Sequence, residues 1–235
     1  IEATAAGGTH RYQKIVKFRN LKELGDRVSP HSYRILKKDC LDLPDKVYTK
    51  REVELSDEQK KAYGEMKANA MSVLKGQSMT AVNVLTQLIR LHQITCGHMK
   101  TDSSEIFDLK NNRLDELMQI LGETSGKVII WANYIHDIEA IEKMIKKEFG
   151  DESCCTYYGA TATEDRQKCI NKFQDPDSEL RFFIGNTQTG GYGITLTEAS
   201  TVIYYSNNYD LEKRIQSEDR AHRIGQKNKV LYIDL

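Results

Sequence analysis

The sequence predicts an α/β protein in which helices cover both faces of a parallel sheet, with a mainly helical segment before it. From residue 111 onward, short apolar runs alternate with amphipathic helical patterns. The run at 127–131 (KVIIW) is continuous instead of alternating, which is typical of a strand buried on both faces. Strands that alternate with helices in this way form a parallel sheet.

Composition restricts the classes of partner that this chain can have. Its 235 residues include 34 basic and 34 acidic side chains, so no overall charge marks a nucleic-acid or membrane partner, and any phosphate binding must be local. The 39% hydrophobic and 29% charged residues are typical of a globular protein. No apolar run approaches the roughly 18 residues that a membrane span requires. The start of the chain lacks the basic and apolar regions of a signal peptide.

The cysteines predict an intracellular protein without a metal site. Cys154 and Cys155 adjoin within an apolar run, and the spacing of Cys96 and His98 is too tight for a usual zinc site. We therefore expect all five cysteines to be reduced and mostly buried. The remaining two are Cys40 and Cys169.

Three segments are predicted along the chain: a leading segment at 1–29, a mainly helical lead-in at 30–110, and an α/β unit at 111–235. Alternating residues over 46–55 predict a strand within the lead-in. Ser56 and Gln59 form a capping-box pattern that begins a helix ending near residue 74. A second helix, at about 79–95, is so apolar that we expect neighbours on both sides of it. Residues 101–110 are predicted to form a loop.

The α/β unit is predicted from its alternating elements. The strands are expected at 127–131, 153–158, 180–184, 201–205 and 229–235, and the main helices at 112–121, 134–149, 163–173 and 211–224. Right-handed crossovers place the loops that follow the strands along one edge of the sheet, where such sheets bind ligands. We therefore expect the loops at 158–161, 186–193 and 206–210 to share one edge.

The last predicted helix carries the clearest candidate site. If this stretch is helical, Gln216, Arg220 and Arg223 occupy positions i, i+4 and i+7 and share one face. Gly225 would then end the helix. Guanidinium groups pair bidentately with phosphate oxygens, so this face suits a phosphate. The alternative is a solvated basic stripe that is balanced by the two acidic residues before Arg220.

Two of the strand-end loops add weaker signals. Gly190, Gly191 and Gly193 permit positive φ and close backbone approach, so their N–H groups form either an anion-binding nest or an ordinary tight turn. Thr161 and Thr163 are alternative caps for the helix that follows them.

Two motif-like stretches do not qualify as nucleotide sites. Residues 122–128 resemble a phosphate-binding P-loop, but the glycines are one residue too close and the stretch precedes a strand instead of following one. Asp115 and Glu116 resemble the metal-binding acidic pair of an ATPase, but they lie in an amphipathic helix pattern and not at a strand end. The sequence thus offers no means of holding a triphosphate with its Mg²⁺.

Taken together, these stretches resemble the SWI/SNF-type ATPases, which are double-stranded-DNA translocases of helicase superfamily two. Residues 219–226 (DRAHRIGQ) look like the sixth motif of that family, 187–196 (TQTGGYGITL) like the fifth, and 127–131 like the fourth. The sixth motif is highly specific when the fifth precedes it at this distance. The stretches at 55–59 and 88–96 resemble the helical lead-in to the second lobe, so the likeness covers nearly the whole chain beyond about residue 18.

The resemblance implies a C-terminal RecA-like lobe that shares an ATP site with an N-terminal lobe. That N-terminal lobe would hold the P-loop and the Mg²⁺, so no cofactor is expected on this lobe alone. The resemblance further implies that Arg220 and Arg223 act as arginine fingers and that Gln216 orders the same face. It places Gly191 and Gly193 at the interface between the lobes.

The same resemblance implies contacts to the backbone of double-stranded DNA, with Thr161 and Thr187 as the candidate residues. Because the chain begins with Ile1 and not with Met, we expect it to be part of a longer protein.

Departures from the family pattern occur at Ala132, Gln188, Thr195 and across 206–210. These variants resemble bacterial or phage members, so we expect a cytoplasmic protein of such a source. The alternative from a different class is a non-catalytic RecA-like module that docks on nucleic acid or on a partner. An in-frame P-loop lobe upstream of this sequence would favour the ATPase.

Overall fold

A parallel six-stranded sheet forms the centre of the structure. The structure is a computed structural model that describes residues 2–4, 11–13, 17–33, 35–76, 81–101, 105–190 and 193–235. The strands of the sheet are β3 (Lys46–Lys50), β6 (Lys127–Trp131), β7 (Cys154–Tyr157), β8 (Phe182–Gly185), β9 (Ala199–Tyr204) and β10 (Val230–Asp234). Their spatial order is β3-β10-β9-β6-β8-β7, and all neighbours are parallel. The predicted α/β class is confirmed.

The other elements surround this sheet. Two antiparallel pairs are β1 (Glu2–Thr4) with β2 (Arg11–Gln13), and β4 (His98–Lys100) with β5 (Ile106–Asp108). The helices are α1 (Leu21–Val28), α2 (Lys37–Cys40), α3 (Asp57–Gly76), α4 (Ala81–Cys96), α5 (Asn112–Glu123), α6 (Ile135–Phe149), α7 (Thr163–Gln174), α8 (Thr187–Gly190) and α9 (Leu211–Ala221). Within the described ranges, none of these helices combines the length and apolarity of a membrane span.

Helices cover the sheet on both faces, as the alternating pattern predicts. Val128 and Ile130 of β6 share one buried cluster with side chains of α5 and α6. Ile129 and Trp131 point the other way and share a second cluster with side chains of α7 and α9. All five residues of β6 are buried, because helices and neighbouring strands enclose this strand on every side.

The capping box at the start of α3 is confirmed. The Ser56 hydroxyl accepts from the Gln59 backbone N–H at 3.2 Å, and the Gln59 side-chain oxygen accepts from the Ser56 N–H at 3.0 Å. The Gln59 amide also donates to the Ile94 carbonyl at 2.9 Å, so the cap ties α3 to the end of α4.

Two predictions for the lead-in are wrong. Leu85, Leu88 and Ile89 of α4 are 60%, 43% and 48% exposed, so this helix does not have neighbours on both sides. Helical periodicity reports apolar faces, but it does not report what covers them. The predicted loop at 101–110 contains β5, because its described residues pair with β4 in a short hairpin.

The lead-in contributes one strand to the sheet. The strand predicted over 46–55 is confirmed as the shorter β3, which pairs in parallel with β10 at the edge of the sheet. Arg51 extends this ladder by one hydrogen bond to the Asp234 carbonyl at 2.8 Å. The edge strand of the sheet thus comes from the segment before residue 111. The predicted division of the chain at residue 111 into a helical lead-in and an α/β unit stays a prediction.

The prediction that all five cysteines are reduced is wrong. Cys155 on β7 and Cys169 on α7 form a disulfide, with a Cα–Cα distance of 6.0 Å. Helix α7 packs against the edge of the sheet at β7, and this packing brings together two cysteines 14 residues apart. Cys96 and Cys154 are free and buried, and burial raises the pKa of Cys96 to about 12. Cys40 is free and exposed.

Candidate functional site

The loops that follow the strands meet along the carboxyl edge of the sheet. Asn186, after β8, donates its backbone N–H to the Tyr157 carbonyl at 3.2 Å and its side-chain amide to the Asn133 carbonyl at 2.8 Å. Asn133, after β6, donates to the Ser206 hydroxyl at 2.8 Å. Because Ser206 follows β9, four strand ends are joined in one continuous network. The predicted shared edge is confirmed.

Thr161 closes the loop that follows β7. Its hydroxyl accepts from the Tyr158 N–H at 3.2 Å and lies 3.3 Å from the Thr156 carbonyl. Ala162 occupies the cap position of α7 without a side-chain hydrogen bond, so the prediction of a threonine cap is wrong. The hydroxyl closes its own loop instead. Thr161 is partly exposed, and its contact to DNA stays a prediction.

Thr187 lies deeper, at the start of α8. It is only 7% exposed, and its hydroxyl accepts from the Asn208 side chain at 3.3 Å. Asn208 follows β9, so this bond joins two of the carboxyl-edge loops. A phosphate contact at Thr187 stays a prediction.

Helix α9, which we call the arginine helix because it carries Arg220, ends earlier than predicted. Helix α9 stops at Ala221, and His222 leaves helical geometry with ψ of 77°. Arg223 therefore lies in the turn after the helix and not at position i+7, so that part of the prediction is wrong. Gly225 adopts φ of 101° within this turn. The turn forms because the Gln226 side-chain amide reaches back to the Ala221 carbonyl at 3.2 Å, which gives the helix end a partner.

Both arginines lie far from the carboxyl edge. Asp210 caps α9 at that edge, where its carboxylate accepts from two backbone N–H groups. The helix then runs back along the sheet for about 16 Å. At its far end, the Arg220 carbonyl accepts from the Leu196 N–H at 2.9 Å, just before β9 begins. Only the first turn of α9 shares the edge with the strand-end loops.

Arg220 is anchored by backbone carbonyls. Its Nε donates to the Gln216 carbonyl at 3.0 Å, and its Nη1 donates to the Ile194 carbonyl at 3.3 Å. The Gln216 side chain points along the helix to Glu212 at 2.8 Å, so Gln216 orders Arg220 through its backbone. The amide oxygen of Gln216 is buried and has no hydrogen-bond partner among the described residues.

Residues 186–193, which we call the glycine loop, connect the end of β8 at the carboxyl edge to Ile194 beside Arg220. We call this end of α9 the arginine end. Gly193 has φ of 73° and directly precedes Ile194, whose carbonyl accepts from Arg220. Gly191 lies outside the described residues, so its role at a lobe interface stays a prediction. The described part of the loop thus ends against the guanidinium of Arg220.

Arg220 and Arg223 form a pair of cations without acidic partners. Neither forms a salt bridge with a carboxylate in the described part of the chain. In contrast, Arg214 on the same helix contacts Glu218 at 2.9 Å and Asp234 at 3.1 Å. Burial, and then the positive charge of Arg223, lower the pKa of Arg220, while the negative charge of Asp219 opposes this shift. Binding of a phosphate by the two arginines stays a prediction.

The opposite side of α9 carries a buried carboxylate. Glu218 is 6% exposed, and one carboxylate oxygen accepts from Lys46 at 2.9 Å and from Tyr48 at 2.8 Å. The other oxygen accepts from Arg214 at 2.9 Å. Burial alone would raise the pKa of Glu218, but the hydrogen bonds from Lys46, Tyr48 and Arg214 outweigh burial and lower it.

We expect this carboxylate to make folding stability depend on pH. A folded-state pKa below the unfolded value of about 4.3 contributes stability that is complete above that value and is lost as pH falls through the folded pKa. The free energy of unfolding should therefore decrease in acid, and Glu218→Gln should remove part of that decrease. Urea denaturation across acidic pH measures it, with the exposed Glu148→Gln as control. An identical pH profile for wild type and Glu218→Gln would contradict the expectation.

Several residues at this site were not assigned roles from the sequence. Gln226 is buried, and its amide nitrogen lies 3.0 Å from the Thr197 carbonyl and 2.9 Å from the Ala199 carbonyl. Arg166 donates to the Tyr158 carbonyl at 3.0 Å and so supports the loop that contains Thr161. Gln226 is the last residue of the 219–226 motif, so this motif was a reason to consider it. Its contacts to Thr197 and Ala199 were not predictable, because these residues lie 29 and 27 positions away in the chain.

No group of three or more His, Cys, Asp or Glu side chains within the described ranges is arranged to hold a metal ion. The 122–128 and Asp115–Glu116 stretches lie at the end of α5 and within it. Binding of a nucleotide phosphate by Arg220 and Arg223 stays a prediction.

Sheet and arginine helix together define a helicase-type C-terminal lobe. Residues 109–225 match the helicase conserved C-terminal domain. This part of the chain belongs to that family, and the chain as a whole is similar to SWI2/SNF2-type ATPases.

Individual relatives and structures support this assignment. The chain is 30% identical over 251 residues to the CHD3-type chromatin-remodeling factor CHR7 of Arabidopsis thaliana, which covers 98% of this chain and 20% of that protein. It is 26% identical to the Sulfolobus solfataricus SWI2/SNF2 ATPase core in complex with dsDNA, with a TM-score of 0.66 over 91% of this chain and 46% of that chain. The C-terminal part of the Fun30 ATPase domain, at 21% identity and a TM-score of 0.66, covers 83% of this chain and 86% of that chain and shares the fold.

These comparisons also limit the assignment. The chain spans about a fifth or less of the curated relatives CHR7 and STH1/NPS1. The matched relatives are mostly proteins of plants and yeasts, with one from Mycoplasma genitalium among them. The expected bacterial or phage source, and the cytoplasmic location that followed from it, therefore gain no support.

Proposed function

We propose that this chain is the C-terminal lobe of an ATP-dependent double-stranded-DNA translocase. In this proposal an N-terminal RecA-like lobe of the same protein holds the nucleotide, and this chain supplies Arg220 and Arg223 to its phosphates. The observation that carries the proposal is the Arg220 guanidinium near the end of α9, which two backbone carbonyls hold and which forms no salt bridge within the described residues, with Arg223 in the turn that follows. Similarity to the dsDNA-bound SWI2/SNF2 core supports DNA as the second ligand.

In this proposal the two ends of α9 have different functions, and the end that carries Arg220 contacts the nucleotide. ATP, with Mg²⁺ held by the other lobe, would supply the free energy of each step. Arg220 and Arg223 would stabilise the negative charge that develops on the transferring phosphoryl group. The Gln216 and Ile194 carbonyls hold the Arg220 guanidinium before the lobes meet, so little reorganisation is needed. Closing and opening of the two lobes would then alternate the grip on DNA.

DNA binding is assigned to the opposite end of the same helix. The carboxyl-edge loops carry Thr161 and Thr187, and contacts of hydroxyl and backbone N–H groups to phosphates position a strand without reading its sequence. Helix α9 would connect both regions, since Asp210 caps its first turn at the carboxyl edge and Arg220 lies near its last residue. A rigid helix between the two regions gives a physical route for coupling hydrolysis to DNA movement.

We expect the 235-residue chain by itself to show no DNA-stimulated ATP hydrolysis. It carries the arginine side of the proposed site, whereas nothing in its sequence resembles a functional P-loop. The measurement is phosphate release with and without duplex DNA, for this chain and for the full-length protein. Turnover by the chain alone would contradict a shared site.

The same experiment separates the proposal from a non-catalytic RecA-like binding module. A translocase requires that the full-length protein hydrolyses ATP faster when duplex DNA is added. A binding module predicts DNA or partner binding by the full-length protein without any stimulated hydrolysis.

A further inference from the structure

A charged cluster joins the arginine helix to the segment before the helicase domain. We define the strap as residues 37–48, which comprise α2, the turn through Pro44 and the first half of β3. The strap lies outside residues 109–225, which match the helicase conserved C-terminal domain. It contacts Glu218 and Asp219, the two residues directly before Arg220, and we call these two the acidic pair.

Lys46 and Tyr48 contact the acidic pair from β3. The Lys46 ammonium lies 2.9 Å from Glu218 and 3.3 Å from Asp219, and its side chain is only 23% exposed. The Tyr48 hydroxyl donates to Glu218 at 2.8 Å, while its ring stacks on Tyr232 with centroids 5.2 Å apart. Pairing of β3 with β10 fixes the position of both side chains relative to the sheet.

The first part of the strap contacts the end of the arginine helix. Lys37 lies 2.9 Å from Asp219 and also donates to the carbonyl of His222. The His222 ring nitrogen Nε2 lies 2.7 Å from the Pro44 carbonyl. The strap therefore contacts Asp219, the residue directly before Arg220, and His222, two residues after it.

The ion pairs between the strap and the acidic pair have a second physical consequence besides their effect on stability. A buried ion pair is weak evidence for stability, because desolvation offsets much of the attraction. The arrangement instead restricts rotation of α9 about its axis, since Glu218 is held from outside the helix by two donors, Lys46 and Tyr48 of β3. Rotation or sliding of α9 would move the Arg220 guanidinium away from the Ile194 carbonyl.

We propose that the strap is a positioning element, in which Lys37, Lys46 and Tyr48 hold the acidic pair so that Arg220 and Arg223 are presented to the phosphate. This inference rests on the proposed function. None of the three strap residues touches the reacting atoms, so their effect acts through the arginines. The strap also precedes the helicase domain in the chain, so movement of the preceding segment would be transmitted to the arginine end.

The test uses the full-length protein. We expect Lys46→Met to lower kcat for DNA-stimulated hydrolysis by roughly tenfold to a hundredfold, the size of effect that a misplacement of about 1 Å produces. KM for ATP should change little, and Lys46→Arg should restore most of the turnover. The melting temperature should fall, because Lys46→Met leaves the buried Glu218 with one partner fewer, so kcat is measured at a temperature at which circular dichroism shows the variant to be fully folded. Tyr48→Phe, which loses one hydroxyl, should show a smaller decrease of the same kind and serves if Lys46→Met does not fold.

The matched control is Lys50→Met on the same strand. Lys50 pairs with Glu52 on the surface, where both side chains are largely exposed, so its loss should leave kcat unchanged. The positioning role is then tested in an Arg220→Lys background. If Lys46 acts through Arg220, adding Lys46→Met to Arg220→Lys should lower kcat much less than it does in the wild type.

Two kinds of outcome would overturn the inference. The first is a loss of turnover that only follows the loss of folded protein, or that Lys50→Met matches. The second is a full, multiplicative effect of Lys46→Met in the Arg220→Lys background. Failure of the proposed function is a different result, in which the full-length wild type shows no DNA-stimulated hydrolysis or Arg220→Lys leaves it unchanged.

Discussion

Replacing Arg220 with alanine in the full-length protein is expected to lower kcat for DNA-stimulated ATP hydrolysis by about 10³- to 10⁵-fold, the range of an arginine finger. The guanidinium is held by two carbonyls and has no acidic partner among the described residues, so its charge is available to a phosphate. Arg223→Ala should act similarly, because the proposal assigns both guanidiniums to the same transferring phosphoryl group. ATP binding should largely survive, since the other lobe is proposed to hold the nucleotide.

Phosphate release under saturating ATP measures kcat, and titration with a fluorescent nucleotide measures binding. The matched control is Lys147→Ala, which removes one positive charge from an exposed site on α6. Because the two arginines serve one phosphate, the double variant should be little slower than either single variant. A loss of ATP affinity as large as the loss of kcat would instead indicate a role in ground-state binding or in folding.

The second large effect is expected in the core. Trp131→Ala should lower the free energy of unfolding of the 235-residue chain by about 3–5 kcal/mol. Trp131 is fully buried at the end of β6 and packs edge-on against Phe183, with ring centroids 6.0 Å apart. Its ring also fills the space beside Gly185 that a Cβ at that position would need. Urea denaturation followed by circular dichroism measures the change, since the variant lacks the only tryptophan of the chain.

Trp131→Phe separates packing from polarity at the same position. The Trp131 Nε1 is buried without a hydrogen-bond partner among the described residues, and an unpaired buried donor costs about 1–3 kcal/mol. The phenylalanine variant removes this N–H, so its destabilisation should be clearly smaller than that of alanine. Ile135→Ala, at a side chain 51% exposed, serves as a control with little effect. Equal destabilisation by Trp131→Ala and Ile135→Ala would contradict the described core.

Much of the fold was predictable because its signals are local. The continuous apolar run of β6 and the capping box of Ser56 both report short-range physics, and the structure contains both. The exposure of Leu88 on α4 was not predictable, because an apolar helix face carries no information about what covers it. The Cys155–Cys169 disulfide was missed for a similar reason, since it depends on how α7 packs on β7.

The candidate site divides in the same way. The sequence predicts Arg220 and Arg223 as a phosphate-binding pair, because guanidinium chemistry and motif spacing are visible in the chain itself, and this stays a prediction. It did not predict that α9 ends at Ala221. Lys37, which donates to the His222 carbonyl, is distant in the chain, and Gln226, although only five residues from Ala221, is held in place by the distant carbonyls of Thr197 and Ala199.

By itself, the sequence determined the α/β class and the parallel sheet, which follow from residue type and from the helix and strand periods along the chain. Its resemblance to known motifs indicated the family. Only the tertiary structure decided that Arg220 lies near the end of α9 opposite Asp210, where the glycine loop reaches it, and that the strap contacts the acidic pair. The physical reason is that the strap contacts join residues more than 170 positions apart, and only packing of the whole chain brings them together.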